Sequence, residues 1–194
     1  MFHRAGSKLE DAVANLESLR AARDAVQFKA VFNSFLSNCR AVTFALQKEG
    51  AHVQGFAAWY GPKQEEMKND ELLRFIHESR KEDFHEGAHR LRFSTYIQSL
   101  SSDSVGPPPH PQASLVIGAE GPFWMVHQGT PKERRIPITR GSRHIIQVAI
   151  ENPPKTHRGA NLSAQDPVSL CKAAVDYMAE LIHEAKSKFI SKNA

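Results

Sequence analysis

The side chains best suited to chemistry fall in one stretch, residues 77–89, which holds three of the chain's ten histidines. Within it, Arg80 and His85 lie five residues apart. A guanidinium can grip a phosphate through two parallel hydrogen bonds, and an imidazole exchanges protons near neutral pH. The pair could therefore cleave a phosphodiester, with His85 moving a proton at the 2′-hydroxyl or leaving oxygen and Arg80 stabilising charge on phosphorus. A salt bridge from Arg80 to a neighbouring glutamate is the structural alternative.

A zinc site is a second interpretation of the same stretch. His85, Glu86 and His89 match the H-E-x-x-H pattern, in which two histidines one helical turn apart hold zinc and the glutamate acts as a base. Gly87 inside the motif weakens a helix by up to about 1 kcal/mol. The x-x-G-x-x-H continuation that would supply a third ligand is absent. We therefore expect no cofactor and keep a zinc hydrolase as an alternative.

A di-iron bundle would use two E-x-x-H motifs, and the sequence offers Glu82 with His85 and Glu180 with His183. The second motif lies away from the apolar stripe of its predicted helix, which favours a solvated face. A fourth possibility is that the whole 77–89 stretch is an exposed, charged helix surface.

Helical periodicity supplies the elements that would position these residues. Ser7 and Glu10 form a capping box that predicts a first helix over about 7–22. Apolar residues spaced by three and four predict further helices at about 28–50, 63–92 and 166–188. The third is expected to break near Asn69-Asp70, and it carries Arg80 and His85.

The chain changes character after Ser101, where a proline-rich segment excludes regular helix. Short β-branched or aromatic segments at 113–118, 122–128 and 143–151 predict a small antiparallel meander. The expected fold class is thus mainly α. It is an up-and-down helical bundle with a β-meander, at about 113–151, inserted before the last helix.

The helical parts, about 1–100 and 160–194, resemble the HEPN superfamily. An R-x4–6-H motif near the end of a helix marks that family, and Arg80 and His85 match it. The resemblance implies one HEPN-like domain over 1–194. It also implies a metal-independent endoribonuclease, often a toxin with an antitoxin partner, that acts as a homodimer with Arg and His of both chains lining one cleft. Lys81 departs from the family pattern, since Asn, Asp or His is common there, and some members are non-catalytic binding modules.

Geometry is consistent with a homodimer. Five residues along a helix correspond to about 7.5 Å of rise and roughly 140° of rotation, so Arg80 and His85 of one straight helix diverge. A two-fold pairing of the same helices could bring both pairs around one phosphate.

A basic segment is the predicted surface for the RNA backbone. Its cations, with aromatic residues on the preceding strand, would suit phosphates and bases. They are Lys132, Arg134, Arg135, Arg140 and Arg143. Lys81, on the predicted third helix, is a further candidate for binding RNA. A solvated loop is the alternative.

Composition sets the remaining expectations. The net charge of +4 and the pI near 9.1 permit a nucleic-acid partner. No apolar run approaches the roughly 20 residues of a membrane helix, and the N-terminus has no apolar signal core. Two cysteines are too few for a disulfide scaffold. We expect a cytoplasmic protein that does not enter a membrane.

Overall fold

The computed structural model describes residues 1–86, 91–99, 105–118, 121–138 and 143–189. The chain forms two compact units. The first comprises Met1–Ala22, Phe28–Leu91 and Ile150–Ala194, and the second comprises Arg23–Gln27 and Arg92–Ala149. The first unit therefore contains helices from both sides of the predicted insert, and the second contains the meander.

Five helices make up most of the described chain, which confirms the mainly α fold class. They are α1 (His3–Ala21), α2 (Ala25–Gly50), α3 (Phe56–Asn69), α4 (Glu71–Glu86) and α5 (Pro167–Phe189). The apolar stripes predicted for the second and last helices are buried, including Phe35 and Cys39 of α2 and Cys171 and Ile182 of α5. In the first unit α1 packs on α5, and α4 packs on α3 and α5.

The start of α1 differs from the capping-box prediction. The helix begins at His3, which places Ser7 inside it. Its first N–H groups are satisfied from another helix, because the Glu49 carboxylate accepts the backbone N–H of Arg4 at 3.2 Å and of Ala5 at 3.0 Å. A charged carboxylate at this end also complements the helix dipole. The cap is a tertiary contact that no local pattern could reveal.

Gly50 ends α2 for a reason of packing. A Cβ at this position would lie 2.4 Å from the Phe56 ring, so only glycine lets that ring approach. Phe56 is the centre of an aromatic cluster with Phe2, Tyr60 and Phe189, at centroid distances of 5.9, 5.2 and 5.6 Å. The cluster joins the N-terminus to α3 and the end of α5.

The predicted third helix, 63–92, is wrong at both ends. It is split at Asp70 as expected, but α3 begins at Phe56, and α4 ends at Glu86. Residues Leu91–Ser99 form strand β1. Apolar and polar residues alternate along this segment, a period that suits a strand better than a helix. The observed burial of the first four residues alternates in the same way.

The meander consists of β2 (Ser114–Gly118), β3 (Gly121–Val126) and β4 (Arg134–Pro137), paired antiparallel in that order. Leu115 faces Trp124, which faces Ile136. The third predicted strand, 143–151, corresponds to β5 (Arg143–Ile150), which pairs with β1 and not with the meander. The expectation missed β4 because its four residues are too few for a clear alternation.

A further hairpin, β6 (Thr156–His157) and β7 (Ala160–Asn161), belongs to the first unit. Its two turn residues, Arg158 and Gly159, have φ values of 51° and 76°. Two consecutive left-handed residues match the twist of a tight antiparallel hairpin.

None of the helices in the described residues combines the length and the hydropathy that a membrane span requires.

Replacing Glu49 by alanine should lower the free energy of unfolding by about 1 kcal/mol, because two N–H groups at the start of α1 lose their acceptor. Urea unfolding followed by circular dichroism measures the change. Glu10→Ala, an exposed position on α1, is the matched control and should leave the midpoint within error. Equal midpoints for the two variants would contradict the capping role.

Candidate functional site

The start of α4 is held by the carboxylate of Asp70, whose side chain is 3% exposed. One oxygen, Oδ1, accepts the backbone N–H of Leu73 at 2.9 Å, which caps the helix. The other, Oδ2, accepts the backbone N–H of Arg158 at 2.7 Å and lies 3.0 Å from Nδ1 of His157. Asp70 therefore joins α4 to the β6–β7 hairpin.

The hairpin is attached to three helices. Thr156 donates its N–H and its hydroxyl to Oε2 of Glu71 on α4, at 2.9 and 2.8 Å. The Arg158 guanidinium donates to Glu180 on α5 at 2.6 Å and lies 3.4 Å from a carboxylate oxygen of Glu66 on α3. It also stacks 5.7 Å from the Tyr177 ring centroid. These contacts fix the position of α4, the helix that carries the predicted catalytic pair.

The Asp70 pKa lies below its ordinary value of 3.8. Burial raises it, but the hydrogen bonds from the N–H groups of Arg158 and Leu73 and from His157 together outweigh that effect. The folded protein therefore favours the ionised carboxylate.

Arg80 lies on α4, half-buried, with its Nε atom buried. It follows Ile76 by four residues and His77 by three, so it lies on the same side of the helix, one turn further on. His85 and Lys81 fall in the last turns of α4, and their side chains lie outside the described part of the structure. The helix ends at Glu86, so the Arg80–His85 motif occupies its C-terminal end.

The structure describes some of the residues named for the zinc and di-iron hypotheses. The side chains of His85 and Glu86, and the whole of His89, lie outside the described residues. For di-iron, Glu180 is engaged by Arg158 and His183 is exposed. Within the described residues no three His, Cys, Asp or Glu side chains form a group that could hold a metal ion.

The two thiols do not provide a nucleophile. Both Cys39 and Cys171 are fully buried and free. Burial raises the pKa of Cys39 to about 12 and also raises that of Cys171. Neither is a thiolate at neutral pH.

A groove of about 520 Å³ runs between α2, α3 and α4 of the first unit. Its floor is apolar, and α5 contributes one residue to it. The floor is formed mainly by Leu36, Tyr60, Leu73, Ile76 and Met178. Tyr60 donates its hydroxyl to the carbonyl of Thr43 at 3.1 Å, which holds α3 against α2. The groove is large enough for a small ligand.

The rim of this groove is basic. Its charged or ionisable residues come from three helices: Arg40, Lys68, Arg74 and His77. None of the described residues that line the groove carries a carboxylate. Arg40 Nη1 lies 3.2 Å from His77 Nδ1. Since arginine has only donors, Nδ1 of His77 is the acceptor in this contact. The groove therefore presents positive charge beside an apolar surface.

The predicted RNA-binding segment is not one loop. Lys132 is exposed before β4, and Arg134 and Arg135 are exposed on β4 itself. The Arg135 guanidinium lies 5.2 Å from the Phe123 ring centroid. Arg140 lies outside the described residues, as does the side chain of Arg143, the first residue of β5. All of them belong to the second unit.

A family model, that of bacteriophage lambda protein ea47, matches residues 15–188. The chain belongs to this family. The match spans both compact units, so the ea47 family includes the meander as well as the helices. No curated protein and no solved structure gives a significant match to this ea47-family chain.

Sequence reasoning missed the groove because its walls are far apart in the chain. Arg40 and His77 are 37 residues apart, and neither belongs to a motif. One signal was present. Phe44 lies off the apolar stripe of α2, and an aromatic residue on the polar face of an amphipathic helix is a candidate contact residue.

Asp70→Asn should lower the free energy of unfolding by about 2 kcal/mol at pH 7, because buried donors lose a charged acceptor. The folded pKa of Asp70 is below that of the unfolded chain, so its contribution to stability is present above about pH 4 and lost as the pH falls further. Urea unfolding of both proteins at several pH values measures the gap. A gap that stays constant down to pH 3 would contradict this assignment.

Proposed function

We propose that this ea47-family protein acts on RNA as a metal-independent endoribonuclease, with Arg80 and His85 as the catalytic pair. The observation that supports the proposal is the position of the pair. It lies at the C-terminal end of α4, in a helix packed against α3 and α5. In a HEPN-like protein the R-x4–6-H motif is expected near the end of a helix, as it is here.

In the proposed reaction the 2′-oxygen attacks phosphorus and the bond to the 5′-oxygen breaks, giving a 2′,3′-cyclic phosphate and a 5′-hydroxyl end. One proton leaves the 2′-hydroxyl and one is delivered to the 5′-oxygen. Arg80 balances the charge that builds on the phosphoryl oxygens. One imidazole cannot accept and donate at the same moment, so a homodimer that brings two copies of His85 to one phosphate suits this chemistry.

Other parts of the chain would bind the strand. Lys132, Arg134 and Arg135 are exposed cations of the second unit, and each could neutralise a phosphate. Arg140, Arg143 and Lys81 remain candidates for the same role. If the protein is a toxin, an antitoxin protein is the expected partner.

The second candidate function is a non-catalytic binding module that keeps the fold and binds RNA without cleaving it. Two observations favour it. Lys81 departs from the residue common after the motif arginine, and the basic groove between α2, α3 and α4 offers a binding surface whose described lining residues do not include Arg80. A zinc hydrolase that uses His85, Glu86 and His89 is the third candidate.

Purified protein incubated with mixed RNA in EDTA should cleave it, and Arg80→Ala and His85→Ala should each slow cleavage at least a hundredfold. Sequencing gels measure the rate and the end groups. Arg20→Ala and His183→Ala, both at exposed positions, are the matched controls. Thermal melting establishes that every variant is folded.

The alternatives give different results. RNA that binds without being cleaved would favour the binding module. Stoichiometric zinc in the purified protein, with activity that EDTA abolishes, would favour the hydrolase.

The composite cleft requires a homodimer at micromolar concentration, which light scattering measures. A monomer that still cleaves RNA would rule out a shared cleft and leave each chain with its own Arg80 and His85.

A further inference from the structure

We propose that the groove between α2, α3 and α4 binds a nucleotide of single-stranded RNA, with the base against Phe44 and the phosphate on the basic rim. The inference rests on RNA being the ligand, as proposed above, and it concerns a surface whose described lining residues do not include Arg80. It would determine where the strand lies, and thus which phosphate reaches the catalytic pair.

The charge of the groove favours a polyanion. Three permanent cations, Arg40, Lys68 and Arg74, line it without a carboxylate among the described lining residues. Lys68 lies 2.6 Å from Glu65, and Arg74 lies 3.9 Å from Glu78. Both pairs are solvent-exposed, so they are weak, and a phosphate can replace the carboxylate at little cost.

Arg40 is positioned in advance for such a contact. Its Nη1 donates to His77 Nδ1 at 3.2 Å, which uses one of the five N–H donors that a guanidinium carries. The contact holds the planar group at the rim, so less side-chain entropy is lost when a phosphate binds.

Phe44 supplies the surface for a base. It is 58% exposed, although it lies on the longest helix of the first unit. It borders the groove and also a second depression of about 210 Å³, which Arg4, Ala45, Lys48 and Glu49 line with it. Lys48 Nζ lies 5.6 Å from the Phe44 ring centroid. An exposed aromatic side chain beside the cations of the groove is the arrangement that binds a base and its phosphate in a single strand.

The same geometry argues against a duplex. Bases in an A-form helix are stacked on one another, and their faces are not accessible to a side chain. Cations alone would attract a duplex or an acidic peptide equally well, whereas the unstacked base of a single strand also gains from the exposed ring. The preference for single strands is therefore the property that identifies the occupant.

Fluorescence anisotropy with a labelled ten-residue single-stranded RNA tests the inference. The full-length His85→Ala protein is used so that bound RNA stays intact. Phe44→Ala should weaken binding roughly tenfold, and Phe44→Trp should restore it, since stacking depends on an aromatic face. Arg40→Ala should weaken binding and lower the slope of log affinity against log salt by about one. Val26→Ala, a 70% exposed apolar position on the same helix, and Arg20→Ala are the matched controls.

Three results would overturn the groove assignment. The first is unchanged affinity in Phe44→Ala and Arg40→Ala. The second is a loss confined to the double variant Arg134→Ala/Arg135→Ala, which would place the strand on the meander. The third is equal affinity for a matched duplex or for polyglutamate.

The groove assignment and the catalytic proposal fail separately. Cleavage by the protein with His85 intact, together with unchanged binding in the groove variants, would leave the nuclease standing and remove the groove. RNA binding that depends on the groove residues, without any cleavage, would support the groove and contradict the nuclease.

Discussion

A buried carboxylate between two helices fixes the frame of the first unit. Asp70 ends one helix, caps the next and accepts hydrogen bonds from the β6–β7 hairpin. Because burying an unpaired carboxylate is costly, all its acceptor positions must find donors together. The hairpin is therefore required for the break between α3 and α4 to be stable, and the path of α4 follows from that break.

The candidate chemistry and the candidate binding surface both depend on this frame. α4 carries Arg80 towards its C-terminal end and His77 earlier along the same side. The groove exists because α4 and α3 pack beside α2 without covering the Arg40–Phe44 face. Within the described residues, Asp70 and Glu71 at the start of α4 make the polar contacts to the β6–β7 hairpin.

Much of the helical fold could be predicted because amphipathic helices record their buried face in the sequence. The predicted buried faces of α2 and α5 are confirmed, and so is the predicted break in the helix near Asn69-Asp70. The predictions were wrong where the local sequence pattern does not report contacts with distant parts of the chain. The predicted third helix reached residue 92, inside the segment Leu91–Ser99 that forms β1, and the predicted strand 143–151 pairs with β1 and not with the meander. Strand partners depend on residues far apart in sequence, which periodicity along one segment does not report.

The sequence by itself determined the helical class, the two main apolar faces and the Arg80–His85 spacing. Each of these depends only on residue types within a few turns of one another. Tertiary structure decided the rest: Glu49 as the cap of α1, Asp70 as the partner of His157, and Arg40 beside His77. Those contacts join residues from 37 to 87 positions apart. They arise because packing the apolar faces leaves buried or crowded polar groups, whose hydrogen bonds can be satisfied only by side chains brought from elsewhere in the chain.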